Sequence, residues 1–173
     1  SGVNESCLGS CDGTATVFTS NGTTPYTYQW NDPFTQATQT AVNLCAGTYN
    51  VTITDNNGCF TTSTANIVSP PLLTAGIFSS GNVSCNGFCD GFAQSIASGG
   101  TPPYSYLWSN LQTNAQAINL CAGIHTLTVT DANGCTAVTS VTITQPQGLV
   151  INITQNNVSC FGACNGNANA SVS

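Results

Sequence analysis

Thr126-Leu127-Thr128-Val129-Thr130-Asp131-Ala132-Asn133-Gly134-Cys135 reads as a strand running into a tight turn. Polar and apolar residues alternate as far as Thr130, which places Leu127 and Val129 on one face of an extended chain and the threonines on the other. Asp131 offers a carboxylate to the backbone two residues on, and Asn133-Gly134 tolerates positive φ, so the chain is expected to reverse into a second strand over 136–144. Gln145-Pro146 closes that strand, because proline brings no donor to a ladder. Upstream, Ser98-Gly99-Gly100-Thr101-Pro102-Pro103 is a turn, and Tyr104-Ser105-Tyr106-Leu107-Trp108 is a strand with three aromatic rings on one face. No stretch has a helical hydrophobic period. The expectation is an all-β chain.

The same hairpin occurs earlier as Val51-Thr52-Ile53-Thr54-Asp55-Asn56-Asn57-Gly58-Cys59, and its surroundings recur with it. Asn4 to Gly13 matches Asn82 to Gly91, Tyr26-Thr27-Tyr28-Gln29-Trp30 matches Tyr104 to Trp108, and Leu44-Cys45-Ala46-Gly47 matches Leu120-Cys121-Ala122-Gly123. A third opening, Asn157 to Gly166, carries the same Cys-x3-Cys pair, and Leu149 to Thr154 is expected to be its first strand. Equivalent cysteines lie 78 residues apart (Cys7 to Cys85) and then 75 (Cys85 to Cys160). That period is too long for a solenoid coil and suits a small sandwich domain. The units are placed at 1–70, 71–146 and 147–173. The last lacks its aromatic strand, so the parent protein is expected to continue.

Composition narrows the function. The 173 residues include ten cysteines, six acidic side chains, one histidine and no lysine or arginine, for a net charge of -6. Nucleic acid is excluded as a partner, since affinity for it rests on cations that displace counterions from phosphates. An anionic membrane surface is disfavoured for the same reason, and no apolar run approaches the ~20 residues that cross a bilayer. Salt bridges to Lys or Arg are unavailable, so burial, backbone ladders and covalent links must hold the fold. Ten cysteines without the close pairs and histidines of a zinc site point to an oxidising, extracellular compartment.

The Cys-x-Gly-x-Cys-Asp/Asn-Gly string, the stretch from Gly99 to Trp108, the Thr-Asp-Ala-Asn-Gly-Cys turn and the closing Thr-Ile-Thr-Gln-Pro together resemble the SprB repeat, a module found in many copies in large surface adhesins of gliding and related bacteria. The resemblance covers two nearly whole units and the start of a third. It implies an immunoglobulin-like sandwich, export to the cell surface, and service as a building block of a stalk or filament that adheres or moves along a surface. This chain departs from the commoner pattern in having no Lys or Arg, and in carrying four cysteines per unit where many copies carry two.

In the first unit those four are Cys7, Cys11, Cys45 and Cys59, and in the second Cys85, Cys89, Cys121 and Cys135. Cys45 and Cys59 flank one strand of about eight residues, at ~3.3 Å each far beyond the ~6 Å a disulfide spans. In a sandwich the loops holding Cys11 and Cys45 fall at one end, which favours Cys11 with Cys45 and Cys89 with Cys121. Cys7 with Cys59 and Cys85 with Cys135 follow by elimination. The same topology puts Cys59 at the opposite end, so a bridge between neighbouring repeats stays open as the alternative.

Other chemistry is thin. His125 stands where the first unit has Tyr49, which speaks for a structural role rather than a catalytic one, and no nucleophile, base and orienting group recur together in both units. No cofactor is expected; calcium is possible at the Asp turns, but six acids cannot furnish several six- to eight-oxygen sites without heavy use of carbonyls. Tyr26, Tyr28 and Trp30, with Tyr104, Tyr106 and Trp108, are read as inter-sheet core, and as a sugar-stacking platform if they prove exposed. Threonine pairs such as Thr128 and Thr130 recur too sparsely for an ice-binding array. Seven Asn-x-Ser/Thr sequons are close to the number chance gives in this composition, so they permit glycosylation without indicating it. The expected partners are neighbouring repeats, with identical chains in a filament and surface polysaccharide as further candidates.

Overall fold

The computed structural model describes residues 1–172 and has strands and no helix among them. The first unit contains β1 (Gly2–Val3), β2 (Gly13–Thr16), β3 (Thr27–Trp30), β4 (Thr40–Leu44), β5 (Gly47–Thr54) and β6 (Phe60–Ile67). They form two antiparallel three-stranded sheets, ordered β1-β2-β4 and β3-β5-β6. The second unit repeats this with β7 (Thr74–Gly81), β8 (Gly91–Ser98), β9 (Ser105–Trp108), β10 (Gln116–Leu120), β11 (Gly123–Thr130) and β12 (Thr136–Ile143), ordered β7-β8-β10 and β9-β11-β12. First, second and fourth strands in one sheet, with third, fifth and sixth in the other, is the A-B-E and C-F-G partition of the immunoglobulin sandwich without its D strand. The fold is a tandem of immunoglobulin-like β-sandwiches. β13 (Ile151–Asn156) and β14 (Asn167–Val172) pair as the hairpin that β7 and β8 form in the second unit. Ser173, within the expected third unit 147–173, lies outside the described residues.

Each complete unit encloses its own core between its two sheets. The first gathers Ala15, Trp30, Ala41, Leu44, Val51, Ile53 and Ile67. The second gathers Leu73, Ala93, Trp108, Ala117, Leu120, Leu127, Val129 and Ile143. The period-two reading of the long hairpin holds: Leu127 and Val129 are buried while the threonines beside them are not. β11 nevertheless begins at Gly123, three residues before the alternation becomes clear, and pairs with β12 without a break from Gly123 opposite Ile143 to Thr130 opposite Thr136. The strand expected from Leu149 starts two residues later, at Ile151.

The glycine after each Cys-Asp is required by packing. A Cβ at Gly91 would lie 2.8 Å from the Ile143 side chain and 2.9 Å from the Leu120 carbonyl, and Gly13 meets Ile67 and Leu44 in the same way. Both distances are closer than real Cβ contacts, so the loop strand can cross the core only without a side chain there.

Candidate functional site

The cysteine loops and the turns they face are the most elaborate polar structure in the protein. In all three units the loop opens with one bond: Ser6 N donates to Asp12 Oδ1 at 2.9 Å, Ser84 N to Asp90 Oδ1 at 2.9 Å, and Ser159 N to Asn165 Oδ1 at 3.0 Å. A turn then closes on the first cysteine, with Ser10, Phe88 and Ala163 donating their N–H to the carbonyls of Cys7, Cys85 and Cys160, each at 3.1 Å. The loop glycine also finds a partner in both complete units. Gly9 N donates to Glu5 Oε2, whereas Gly87 N donates to Gln145 Oε1, because Val83 replaces the glutamate.

Disulfides join Cys11 to Cys45 and Cys89 to Cys121. Each ties the start of the second strand of its unit to the corner between the fourth and fifth, inside one sandwich. The remaining pairing departs from the within-unit expectation. Cys7 is bonded to Cys135, 128 residues on, with Cα atoms 5.7 Å apart, and neither Cys7 with Cys59 nor Cys85 with Cys135 is joined. The reason is length. β5 carries the chain from the Cys45 end to the Cys59 end over eight residues, roughly 26 Å at ~3.3 Å each, so the turn cysteine and the loop cysteines of one unit sit at opposite ends. Tandem order brings the turn end of the second unit to the loop end of the first, where a bridge is within reach. Among the described residues Cys59, Cys85, Cys160 and Cys164 are exposed free thiols.

That joint has further contacts. Asn133 Nδ2 donates to the Ser6 carbonyl at 2.9 Å and to Thr101 Oγ1 at 3.1 Å, so one amide ties the turn to its own unit and to the neighbour. Asp131 holds the turn in shape, accepting from Thr101 N at 2.8 Å and from Asn133 N and Cys135 N at 2.9 Å. The linker is fixed at both ends: Val68 N donates to Asn4 Oδ1 at 3.0 Å on the first unit, and Gly100 N of the second donates to the Pro71 carbonyl at 2.8 Å. Gly99 has φ +73°, and a Cβ there would lie 1.9 Å from the Leu72 carbonyl, so only glycine lets the linker pass this closely. A cleft of about 340 Å³ remains between Leu8, Pro71, Leu72 and Cys135.

All six carboxyl groups are held below their ordinary range, with no cation involved. Hydrogen bonds from the Ser10 and Ser6 hydroxyls and from Ser6 N take Asp12 down to about 2. The Thr23 and Thr101 amides lower Asp55 and Asp131, the Ser84 side chain and amide lower Asp90, and the Ser69 hydroxyl lowers Glu5. At Asp32 burial works the other way and is outweighed by donors from Gln36 and Phe34.

Other residues singled out in the sequence have structural places. His125 Nε2 lies 2.9 Å from the Cys121 carbonyl and therefore donates its N–H to it, and Tyr49 Oη donates to the Cys45 carbonyl at 3.0 Å, so the two rings do one job. Trp30 and Trp108 are 2 % and 1 % exposed, and their indole N–H groups bond to the carbonyls of Thr38 and Asn114. Tyr26, Tyr28, Tyr104 and Tyr106 pack half-buried against the two cores. No exposed aromatic platform arises from this stripe. Glu5, Cys11 and Cys45 lie together with metal-site spacing, but the two sulfurs are bonded to each other and are not thiolate ligands. The Glu5 carboxylate is occupied by Gly9 N, Cys11 N and the Ser69 hydroxyl. A groove of about 460 Å³ is lined by Phe18, Tyr26, Asp55 and Phe60.

The SprB repeat family model matches residues 2–35 and 77–113, the segments that carry both loops and both aromatic strands. The chain is similar to the SprB repeat at these two places. In each, the matched segment ends just past the tryptophan and the rest of the sandwich lies beyond it. No curated protein matches the chain. Among solved structures it resembles that of the amphioxus IgVJ-C2 molecule, at 15 % identity over 80 % of this chain and 98 % of that one, with a TM-score of 0.35. The immunoglobulin-like assignment of the two units rests on their own strand order.

Proposed function

We propose that the protein is a secreted structural and adhesive module of a bacterial cell-surface adhesin, non-enzymatic, in which units 1–70, 71–146 and 147–173 follow one another as a stiff stalk. The observation that carries this reading is the joint, where a disulfide, the Asn133 amide and a linker bonded at both ends fix one sandwich on the next. Flexible spacers have none of these, and joined domains ordinarily move relative to one another unless their interface is large. Similarity to the SprB repeat supports the surface-repeat role, and three disulfides suit an exported protein. Burial of Trp30 and Trp108 weighs against the carbohydrate-binding alternative.

Small-angle X-ray scattering on the oxidised chain tests the stiffness directly. An elongated particle with one narrow distribution of lengths is expected, and Cys7→Ser should broaden it. Broad, bending ensembles with the bridge intact would refute the stalk. A glycan array run alongside should give no saturable binding; saturable binding to a polysaccharide would favour the alternative.

A further inference from the structure

Cys85 and Cys59 are exposed thiols, yet each is the repeat counterpart of a bonded sulfur: Cys85 of Cys7, and Cys59 of Cys135. We propose that they are the open rungs of a disulfide ladder, in which Cys85 bonds the turn cysteine of a following unit and Cys59 the loop cysteine of a preceding one. Every joint then carries one bridge, and every interior unit gives one sulfur downstream and receives one from upstream. This does not rest on an adhesive role.

Both halves of the rung are already built where no bridge has formed. The Cys85 loop has the same Ser84–Asp90 bond and the same Phe88-to-Cys85 turn as the Cys7 loop that is bonded. On the other half, Asp55 accepts from Thr23, Asn57 and Cys59 amides as Asp131 does from its own turn. Asn57 Nδ2 already bonds Thr23 Oγ1 at 2.9 Å, the internal half of what Asn133 does at the joint, and its second N–H is the one that Asn133 gives to Ser6. The exit path is the third match. Thr144 N donates to Asn82 Oδ1 at 2.9 Å as Val68 N does to Asn4, so the chain leaves the second unit as it left the first. Preorganised groups lose little freedom on pairing. A bridge from Cys85 to Cys135 of its own unit is blocked by the length of β11.

The chemistry balances by exchange with a disulfide oxidant, an exported dithiol oxidoreductase in the cell and oxidised glutathione in the test. The Cys85 thiolate attacks one oxidant sulfur and expels a thiolate. The turn-cysteine thiolate then attacks the Cys85 sulfur of the mixed disulfide and expels the second. Two protons leave the protein thiols, and the oxidant takes the two electrons as a pair of thiols.

The register makes Ser173 the counterpart of Ser98, so a second copy of residues 99–146 appended after Ser173 completes the third unit. This extended chain is oxidised in a glutathione buffer, digested with pepsin without reduction and mapped by mass spectrometry. The expected map joins Cys85 to the appended copy of Cys135 and Cys164 to the appended copy of Cys121, leaving Cys59 and Cys160 as thiols. A bond from the appended turn cysteine to Cys160, a link between chains, or a Cys85 thiol beside a formed Cys164 bridge would overturn the ladder. If the Cys164 bridge fails to form, the appended unit has not folded, and Cys7→Ser in the unaltered chain decides. There Cys135 is expected to stay a thiol, giving one more titratable thiol than the parent; a Cys85–Cys135 bond would overturn the proposal.

Discussion

Asp12 shows what a carboxylate does in a protein without lysine or arginine: it gathers hydroxyls and amides instead of a counter-ion. Its folded pKa of about 2 lies below the ordinary 3.8, so the ionised form contributes stability above the unfolded value, and that contribution is lost as pH falls through the folded one. The other five acids shift the same way. Melting temperature is therefore expected to stay level from pH 7 to about 5 and to drop between about pH 4 and 2. Asn165 occupies the same place in the third unit, so Asp12→Asn should fold and show a shallower acid slope; circular dichroism melts across pH check both. His125→Tyr is the second test at this scale. Because Tyr49 makes the equivalent bond, the change should alter stability by no more than about 0.5 kcal/mol in urea titrations, whereas His125→Ala removes the donor and should cost about 1 kcal/mol. The exchange of His for Tyr was legible in the aligned repeats, but the carbonyl that both rings reach was not, since it depends on where the Cys121 corner folds back.

Among the elements, the long hairpins were the readable ones, because β5 and the later part of β11, from Thr126, alternate and end in Asp-x-Asn-Gly turns. β4 and β10 were hidden. Each buries an alanine and a leucine three residues apart, Ala41 with Leu44 and Ala117 with Leu120, a spacing that period two does not allow. The structure resolves this with a bulge, and Asn43 and Asn119 take φ +55° in the extra position. Asn is one of the few side chains that tolerates this region, and a β-branched one does not. Asn119→Val should therefore destabilise the second unit by about 1–2 kcal/mol while Asn119→Gly stays close to neutral, as read from unfolding midpoints. The within-unit staples were accessible by the same logic of strand ends. Once the sandwich is drawn, Cys89 and Cys121 share an end, and the bond closes a loop of 32 residues.

For the whole molecule, the missing piece was placement. Strand patterns locate the turn cysteine at one end of a unit, yet which neighbour meets that end follows only from how the linker exits, through contacts between Asn4 and Val68 that no periodicity announces. The bridge from Cys7 to Cys135 also changes what happens under tension. A pull on the two termini enters at residue 1, reaches Cys7, crosses to Cys135 through sulfur, and leaves along β12 toward residue 173, so the path skips the first hydrophobic core and meets the second only along β12, where Ile143 is buried. The 128 residues of separation are removed from the extensible contour, roughly 440 Å at about 3.4 Å per residue. Optical-trap extension with reductant should exceed that without by about this amount, and equal lengths would show that the bridge does not span the joint. Both sandwiches can then unfold without the tether lengthening appreciably. Reach is set by sulfur and linker, and the folded units serve as spacers that force along the axis loads only at β1 and β12.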